Sequence, residues 1–318
     1  MNSNKFNIYN KYYMTTSFKI GIDYGGTKIE GILLDQKGHE IKRKRTSYDK
    51  NYDSGIDTIK QLVREFEDIV NTNCTVGIGI PGSSSYETGL VKNANSIWLN
   101  NKPFKKDLEE TLKREVRLMN DANCFTLSES IDGAGAPYKS VFGIIIGTGL
   151  GSGLSFNNQI IEGVNQVAGD WGHQPLPYPT EDEVKADLKC PVINCERPLC
   201  AEQFISGSGF EKNFNKKNNL NITAQEIVEL GLKGDESANK ELSLYEDRLA
   251  RLISIMIGIF DPEAIILGGG MSNIERLYQN IPLLLPKYTF SDKVRNKILK
   301  NKHGDSSGVR GAAWLWND

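Results

Sequence analysis

The sequence of 318 residues has no run of about 18 apolar residues, which excludes a membrane-spanning helix. It also lacks an excess of basic charge, because 38 Lys and Arg stand against 40 Asp and Glu, a net charge of −2. With no polybasic tail, this balance argues against a nucleic-acid partner. We therefore expect neither nucleic acid nor membrane as a partner, while near-neutral charge would permit a homodimer.

Cysteine is scarce, with five residues in the whole chain. An odd number of cysteines in a chain of this length argues against a disulfide framework and predicts a reducing compartment, so we expect a cytoplasmic protein. The first residues, MNSNKFNIYNKYYMTT, lack the apolar core of a secretory signal. We interpret 1–16 as an N-terminal extension, and we expect Cys74 and Cys124 in the core.

The length predicts two domains or one large α/β domain. An apolar strand at 18–23, followed by strands at 31–35 and 40–48 with a turn signal at 36–38 between them, predicts an antiparallel meander, and the spacing over 56–70 predicts an amphipathic helix. Buried strands at 76–82 and 116–119 and a helix over 122–131 follow.

A second block repeats this plan. It has a strand, a glycine turn and a strand over 141–156, a helix over 242–260, a strand at 264–267 and a helix beginning near Asn273. Two such blocks imply two similar domains that face each other across a cleft. The segment 174–200 interrupts the second block and is interpreted as an inserted loop. Asn and Lys dominate 210–223, which predicts a solvated surface.

Two glycine turns occupy matching places in the two blocks. Glycine lets the backbone approach a phosphate closely, so amides and a Thr hydroxyl can donate to its oxygens. A lone Gly-Gly would normally be a tight hairpin, but paired turns on facing domains can clamp ATP, with Mg²⁺ held by Asp23. The candidate ATP-binding residues are Asp23, Gly25, Gly26, Thr27, Lys28, Gly147, Thr148 and Gly149.

The spacing of these turns excludes two common phosphate motifs. A P-loop needs four residues between its first glycine and Gly-Lys, followed by a helix. A dinucleotide fingerprint needs a helix after the turn, whereas 147–151 leads into another strand. A third glycine run could let adenine or ribose lie close, although alone it is a weak signal; it comprises Gly268, Gly269 and Gly270.

These motifs together resemble the ROK family of sugar kinases. The resemblance runs from Phe18 to Trp316 and rests on DYGGTK (23–28), GIGIPGS (77–83), NDAN (120–123), GTGLGSG (147–153), AGDWGH (168–173), CAE (200–202) and LGGGMS (267–272). Three further segments look most like the bacterial fructokinase, or manno(fructo)kinase, branch: NANSIWLN (93–100), WGHQPLP (171–177) and HGDSSGVRGAAWLW (303–316).

The resemblance implies an α/β, two-lobed, actin-like (ribonuclease-H-like) fold. One lobe would comprise 17–121 and 303–318, and the other 122–302 with the inserted loop 174–200. It further implies that Asp121 is the catalytic base, a role that the alternative of a helix N-cap does not contradict. Asp121 would also contact the sugar, together with Asn95, Asn120, Asp170, His173 and Glu202. The family usually has Glu where this chain has Asp170, which places fine specificity in doubt.

One imidazole and three thiolates are enough for a closed structural zinc site. His173, Cys190, Cys195 and Cys200 supply them, although three thiols without metal are the simpler alternative. Family members carry C-x-C-x4-C, whereas this chain has C-x4-C-x4-C. We expect Zn²⁺ to fix His173 and Glu202 against the sugar.

The sequence thus predicts an ATP-dependent hexose kinase that forms fructose 6-phosphate from D-fructose. Glucokinase, mannokinase and N-acetylglucosamine kinase of the same family are the open alternatives. A ROK repressor would need an N-terminal helix-turn-helix. A non-sugar ATPase of the same fold should lack the sugar-binding set.

Overall fold

The computed structural model describes residues 18–186, 190, 195–304 and 307–317. The predicted extension 1–16 lies outside these residues. The first half of the described chain contains β1 (Lys19–Tyr24), β2 (Lys28–Leu34), β3 (Glu40–Ser47), α1 (Tyr52–Val70), β4 (Thr75–Ile80), β5 (Ser83–Ser84), β6 (Val91–Lys92), α2 (Phe104–Leu112), β7 (Arg117–Asn120) and α3 (Asp121–Ile131), with a 3-10 helix at Ile97–Leu99.

The first sheet has the strand order β3-β2-β1-β4-β7. Strands β1, β2 and β3 pair antiparallel, which confirms the predicted meander, and β4 and β7 run parallel to β1. Helix α1 begins at Tyr52, four residues before the predicted start, because the Asn51 side chain accepts a hydrogen bond from the Ser54 amide and caps it. One face of α1 buries Ile59, Leu62 and Phe66 against this sheet.

The second half of the described chain repeats the plan. Its elements are β8 (Ser140–Ile146), β9 (Leu150–Phe156), β10 (Gln159–Ile160), α4 (Glu181–Lys185), α5 (Glu202–Ile205), α6 (Gly207–Asn218), α7 (Ala224–Leu232), α8 (Glu236–Ile259), β11 (Ala264–Gly268), α9 (Arg276–Leu284), β12 (Lys297–Lys300) and α10 (Ser307–Trp314), with 3-10 helices at Gly270–Asn273 and Leu285–Lys287. The sheet order is β10-β9-β8-β11-β12, with β8 and β9 antiparallel and β8, β11 and β12 parallel.

Two sequence predictions about this half need correction. The segment 210–223 is a solvated surface only in part, because Phe210 and Phe214 of α6 are buried in the core, while Lys212, Lys216 and Lys217 are exposed. The two phenylalanine side chains are four residues apart and so share one helical face. The helix expected near Asn273 begins at Arg276, because a 3-10 turn comes first.

Helix α10 joins the two sheets through backbone-to-backbone contacts. A Cβ atom at Gly21 of β1 would lie 2.0 Å from the Val309 carbonyl oxygen, and one at Gly77 of β4 would lie 1.9 Å from that of Ala312. On its other side, a Cβ at Gly311 would lie 1.6 Å from the Cys124 carbonyl oxygen of α3. Glycine is therefore required at these positions.

Helix α3 in turn packs on β8 and β9 of the second sheet, so α10 and α3 form a two-helix layer between the sheets. The division of the chain at 121 and 122, with a return of 303–318, stays a prediction. Part of the inserted loop 174–200, namely 187–189 and 191–194, lies outside the described residues. Among the described helices, none is both long and apolar enough to cross a membrane.

Candidate active site

Three parallel strands of the first sheet end at one edge, and polar groups lie at or next to the ends of β1 and β7. Asp23 on β1 lies opposite Gly79 of β4, and Ile80 of β4 lies opposite Asn120 at the end of β7. Asp121 follows directly as the first residue of α3. The carboxylates of Asp23 and Asp121 are therefore neighbours at this edge, although 98 positions separate them in the sequence numbering.

Asn120, rather than Asp121, caps α3. The Asn120 Oδ1 atom accepts from the Ala122 amide at 2.9 Å, and its Nδ2 donates to the Gly82 carbonyl at 3.0 Å. Asp121 also accepts from the Ala122 amide, at 2.8 Å. The capping role weighed for Asp121 thus belongs to its neighbour, which fixes the start of the helix that carries Asp121.

Burial sets the electrostatics of this edge. It raises the pKa of Asp121 to about 6. Burial, followed by the negative charges of Asp121 and Glu30, raises the pKa of Asp23 to about 7, and Arg45 acts in the opposite direction. Arg45 Nε donates to the buried Glu30 at 2.8 Å. The sequence analysis did not predict this pair. Its signal is the register of the β2–β3 hairpin, which places Glu30 directly opposite Arg45.

The first glycine turn is tightly closed. The Gly25 amide donates to the Lys28 carbonyl at 3.1 Å, and the Tyr48 hydroxyl donates to the Gly25 carbonyl at 3.0 Å. Gly26, Thr27 and Lys28 are exposed. A Cβ at Gly26 would lie 3.7 Å from Ser96 Oγ, so this turn adjoins the segment that carries the exposed Asn95.

The second and third glycine runs meet at the carboxyl edge of the second sheet. The Gly147 amide donates to the Gly149 carbonyl at 3.0 Å, while Thr148 is exposed between them. Gly268 ends β11 beside β8, and Gly269 has a φ of 78°, which favours glycine. A Cβ at Gly269 would lie 2.5 Å from the Ile146 carbonyl oxygen. The exposed Gly270 follows.

The two edges approach each other at the start of α3. A Cβ at Gly151 would lie 3.1 Å from the Ala122 Cβ, and one at Gly149 would lie 3.4 Å from Glu202 Oε1. Glu202 is buried, which raises its pKa; the charge of His173 lowers that pKa and the charge of Asp170 raises it. Glu202, His173 and the exposed Asp170 are thus neighbours beside the second glycine turn.

The His173 and cysteine side chains converge as the sequence predicts. Their ligand atoms all lie within 4.8 Å of one another. From His173 Nδ1 the sulfur atoms of Cys190, Cys195 and Cys200 lie at 4.0, 3.6 and 3.5 Å, and the Cys200 sulfur lies 3.9 Å from Cys195 and 3.4 Å from Cys190. Tetrahedral zinc with its usual bond lengths separates such atoms by about 3.5–3.8 Å. The donor set and the spacing therefore fit zinc, despite the longer Cys190–Cys195 interval.

Comparison with known proteins identifies the family. The model of the ROK family matches residues 19–318. The chain belongs to the ROK family. Curated ROK relatives include the N-acetyl-D-glucosamine kinase of Histophilus somni, 40% identical over 299 residues that cover 93% of this chain and 98% of the relative. That of Pasteurella multocida is 38% identical over 301 residues, which cover 94% and 99%.

Solved ROK structures confirm the predicted actin-like α/β fold. The ROK hexokinase of Thermus thermophilus superimposes with a TM-score of 0.81 at 22% identity, over 93% of this chain and 96% of that one. A ROK family glucokinase from Streptomyces griseus, solved with glucose and AMPPNP, gives 0.75 at 25% identity, over 94% and 99%. The predicted fructokinase branch finds no support in these comparisons, because the curated relatives given above are N-acetyl-D-glucosamine kinases.

Proposed function

We propose that this ROK protein is an ATP-dependent kinase that transfers the γ-phosphoryl group to a hydroxyl of N-acetyl-D-glucosamine. The observation that carries the proposal is the position of Asp121, half-buried at the start of α3, where its charge acts on Asp23 and where Gly151 of the second sheet approaches Ala122. We propose N-acetyl-D-glucosamine as the acceptor instead of the D-fructose predicted from the sequence. The reason is that N-acetyl-D-glucosamine kinases match at 38–40% identity over more than nine-tenths of both chains.

Phosphoryl transfer through a loose transition state depends on positioning and on charge stabilisation. Asp121 would accept the proton of the sugar hydroxyl, and its raised pKa makes it a better base than an ordinary carboxylate. The amides of the turns at 25–28 and 147–149 would hold the phosphates, with Gly268, Gly269 and Gly270 beside the nucleoside. Asp23 would hold Mg²⁺, which when bound neutralises charge on the phosphates.

The acceptor would bind among the polar residues that surround Asp121. These are Asn95 in the loop after β6 and Asn120 at the end of β7, together with Asp170 and His173 in the loop after β10 and Glu202 at the start of α5. His173 directs Nδ1 towards the three thiols, so Nε2 remains for a sugar hydroxyl. Zinc held by His173, Cys190, Cys195 and Cys200 would fix the imidazole and, through Cys200, the nearby Glu202.

The test is an ATP-consumption assay on purified protein with N-acetyl-D-glucosamine, glucose, mannose and fructose in parallel. We expect the highest kcat/KM with N-acetyl-D-glucosamine. The highest value with fructose would reinstate the fructokinase prediction and overturn this one. ATP hydrolysis at the same rate with and without any sugar would instead indicate a non-sugar ATPase.

A further inference from the structure

A group of aromatic side chains lies beneath the first glycine turn and is not part of the predicted site. This aromatic group consists of Tyr24, Tyr48, Tyr52, Trp98 and Phe104. The Tyr24 ring is fully buried, with edge contacts to Tyr48 at 5.4 Å and to Phe104 at 5.3 Å between ring centroids. Tyr48 contacts Trp98 in the same way at 6.3 Å. Because interiors are close-packed, a shift of one ring must move its neighbours.

Hydrogen bonds of this group involve both the first glycine turn and the segment that carries Asn95. The Trp98 Nε1 atom donates to the Tyr24 hydroxyl at 3.0 Å. Tyr24 stands between Asp23 and Gly25 at the start of the glycine turn, and the Tyr48 hydroxyl donates to the Gly25 carbonyl at 3.0 Å. The group therefore bonds to the turn that is predicted to hold phosphate.

Trp98 belongs to the segment that carries Asn95. The Asn100 side chain accepts from the Ala94 amide at 2.8 Å and donates to the Ala94 carbonyl at 3.0 Å, which closes 94–100 into one compact loop. A sugar that binds Asn95 would shift this loop as a unit. The loop would then pull on the Tyr24 hydroxyl through the indole of Trp98.

The fold makes special room for the Tyr24 hydroxyl. Gly55 lies in the first turn of α1, where alanine is the better helix former. A Cβ at Gly55 would lie 2.2 Å from the Tyr24 hydroxyl oxygen. The glycine thus leaves the room that this oxygen needs to stay within hydrogen-bond distance of Trp98.

We propose that Tyr24, Tyr48 and Trp98 are positioning residues that couple sugar binding at Asn95 to the phosphate-binding turn, so that the sugar increases the affinity for ATP. The inference rests on the proposed function. Coupling between two sites in proteins commonly changes an affinity by about 5- to 150-fold. We expect saturating N-acetyl-D-glucosamine to lower the Kd of the ATP analogue AMPPNP by about fivefold or more.

The experiment measures the Kd of AMPPNP with Mg²⁺ by calorimetry, with and without the sugar, for the wild type, Tyr24→Phe, Trp98→Phe and the double variant. Each single variant removes one end of the same hydrogen bond and keeps an aromatic ring. We expect each to reduce the effect of the sugar to about twofold or less, and the double variant to lose no more than either single one, because the residues act through one bond.

Tyr52→Phe is the matched control. It removes a hydroxyl of the same aromatic group that donates to Asp107 at 2.6 Å, away from the turn, and should keep the wild-type effect of the sugar. Tyr48→Phe, which loses the bond to Gly25, provides a second test should either first variant fold poorly.

Wild-type coupling in Tyr24→Phe and Trp98→Phe would overturn the inference. The inference would also be overturned if the wild type phosphorylates sugar but binds AMPPNP equally tightly with and without it. The proposed function would stand in that case. Failure of the wild type to phosphorylate any sugar would overturn the proposed function and this inference together.

Discussion

Asp121 can be tested by exchanging one carboxylate oxygen for an amide. The change Asp121→Asn keeps the shape of the side chain but removes its ability to take a proton. We expect turnover to fall by about 10²- to 10⁴-fold, while the Kd values for sugar and ATP change little. Asp68→Asn, an exposed carboxylate of α1, is the control and should keep wild-type turnover. Near-wild-type turnover of Asp121→Asn would rule it out as the base.

The same residue predicts how activity depends on pH. Burial raises the pKa of Asp121 to about 6 and, with the charge of Asp121, that of Asp23 to about 7. The ionised carboxylate of Asp121 is the active form, and bound Mg²⁺ would favour the ionised form of Asp23 as well, so kcat/KM should fall as the pH drops through about 6. A kcat/KM profile that stays flat from pH 5 to 8, with the fold intact by circular dichroism, would contradict this.

The predicted zinc site can be tested without measuring activity. Freshly purified protein should contain about one zinc per chain, because four ligands close a tetrahedral site. Cys195→Ser should lower that content and the Tm. Cys74→Ser should keep the zinc, since Cys74 is buried in the other sheet's core. Less than about one zinc per chain in the wild type would refute the site.

Helix α4 is anchored to α8 by a buried charge network. Arg251 Nη2 donates to Glu183 at 2.7 Å and Arg248 Nε donates to the same carboxylate at 2.8 Å. Arg251 also donates to the carbonyls of Pro177 and Tyr178, at 3.1 and 2.7 Å. The network thus holds the described segment 177–183, which follows His173, against α8.

We expect Glu183→Gln to lower the free energy of unfolding by about 1–3 kcal/mol, because the nearly inaccessible Arg251 loses the buried carboxylate and keeps only Asp247, at 3.0 Å, as a charge partner. Glu181→Gln, on the exposed side of the same helix, should cost at most about 1 kcal/mol. Urea unfolding measures both changes. A loss below 1 kcal/mol in Glu183→Gln would contradict the anchoring role.

Acid provides a second readout for this network. Burial alone would raise the pKa of Glu183, but the hydrogen bonds from Arg251 and Arg248 outweigh it and lower the pKa to about 2. A carboxylate with a lowered pKa stabilises the fold fully above its unfolded value of about 4.3, and loses that contribution as the pH falls towards 2. The wild type and Glu183→Gln should therefore converge in stability between about pH 4.3 and 2.

Helix α10 connects the two sheets, because glycines let its backbone pack directly against the backbones of β1, β4 and α3. Gly311→Ala would place a methyl group against the Cys124 carbonyl, 1.6 Å away before relaxation, and should destabilise the protein by at least about 3 kcal/mol. Gly308→Ala, in the same helix, meets nothing within 4 Å and should be neutral or stabilise by up to about 1 kcal/mol. Equal unfolding free energies for the two variants would contradict the close packing.

Local patterns predicted much of this architecture. An apolar strand that ends in a glycine turn was enough to place Asp23 at a strand end, a second short strand did the same for Asp121, and the clustered cysteines predicted their convergence on His173. The burial of Phe210 was missed because the surrounding Asn and Lys residues obscured one helical face. Glu183 and Arg251 lie 68 residues apart, and the Tyr24 bond to Trp98 spans 74, so no local pattern contains them. Each depends on how distant elements pack.

The late position of α10 in the chain has a consequence for how the protein is made. Strands β1 and β4 leave the ribosome long before α10, whose glycine-lined contacts cover one of their faces. Throughout most of translation that face has no native cover, and a nascent chain in this condition is prone to aggregate. The first sheet can complete its packing only after nearly every residue of the second sheet has been synthesised.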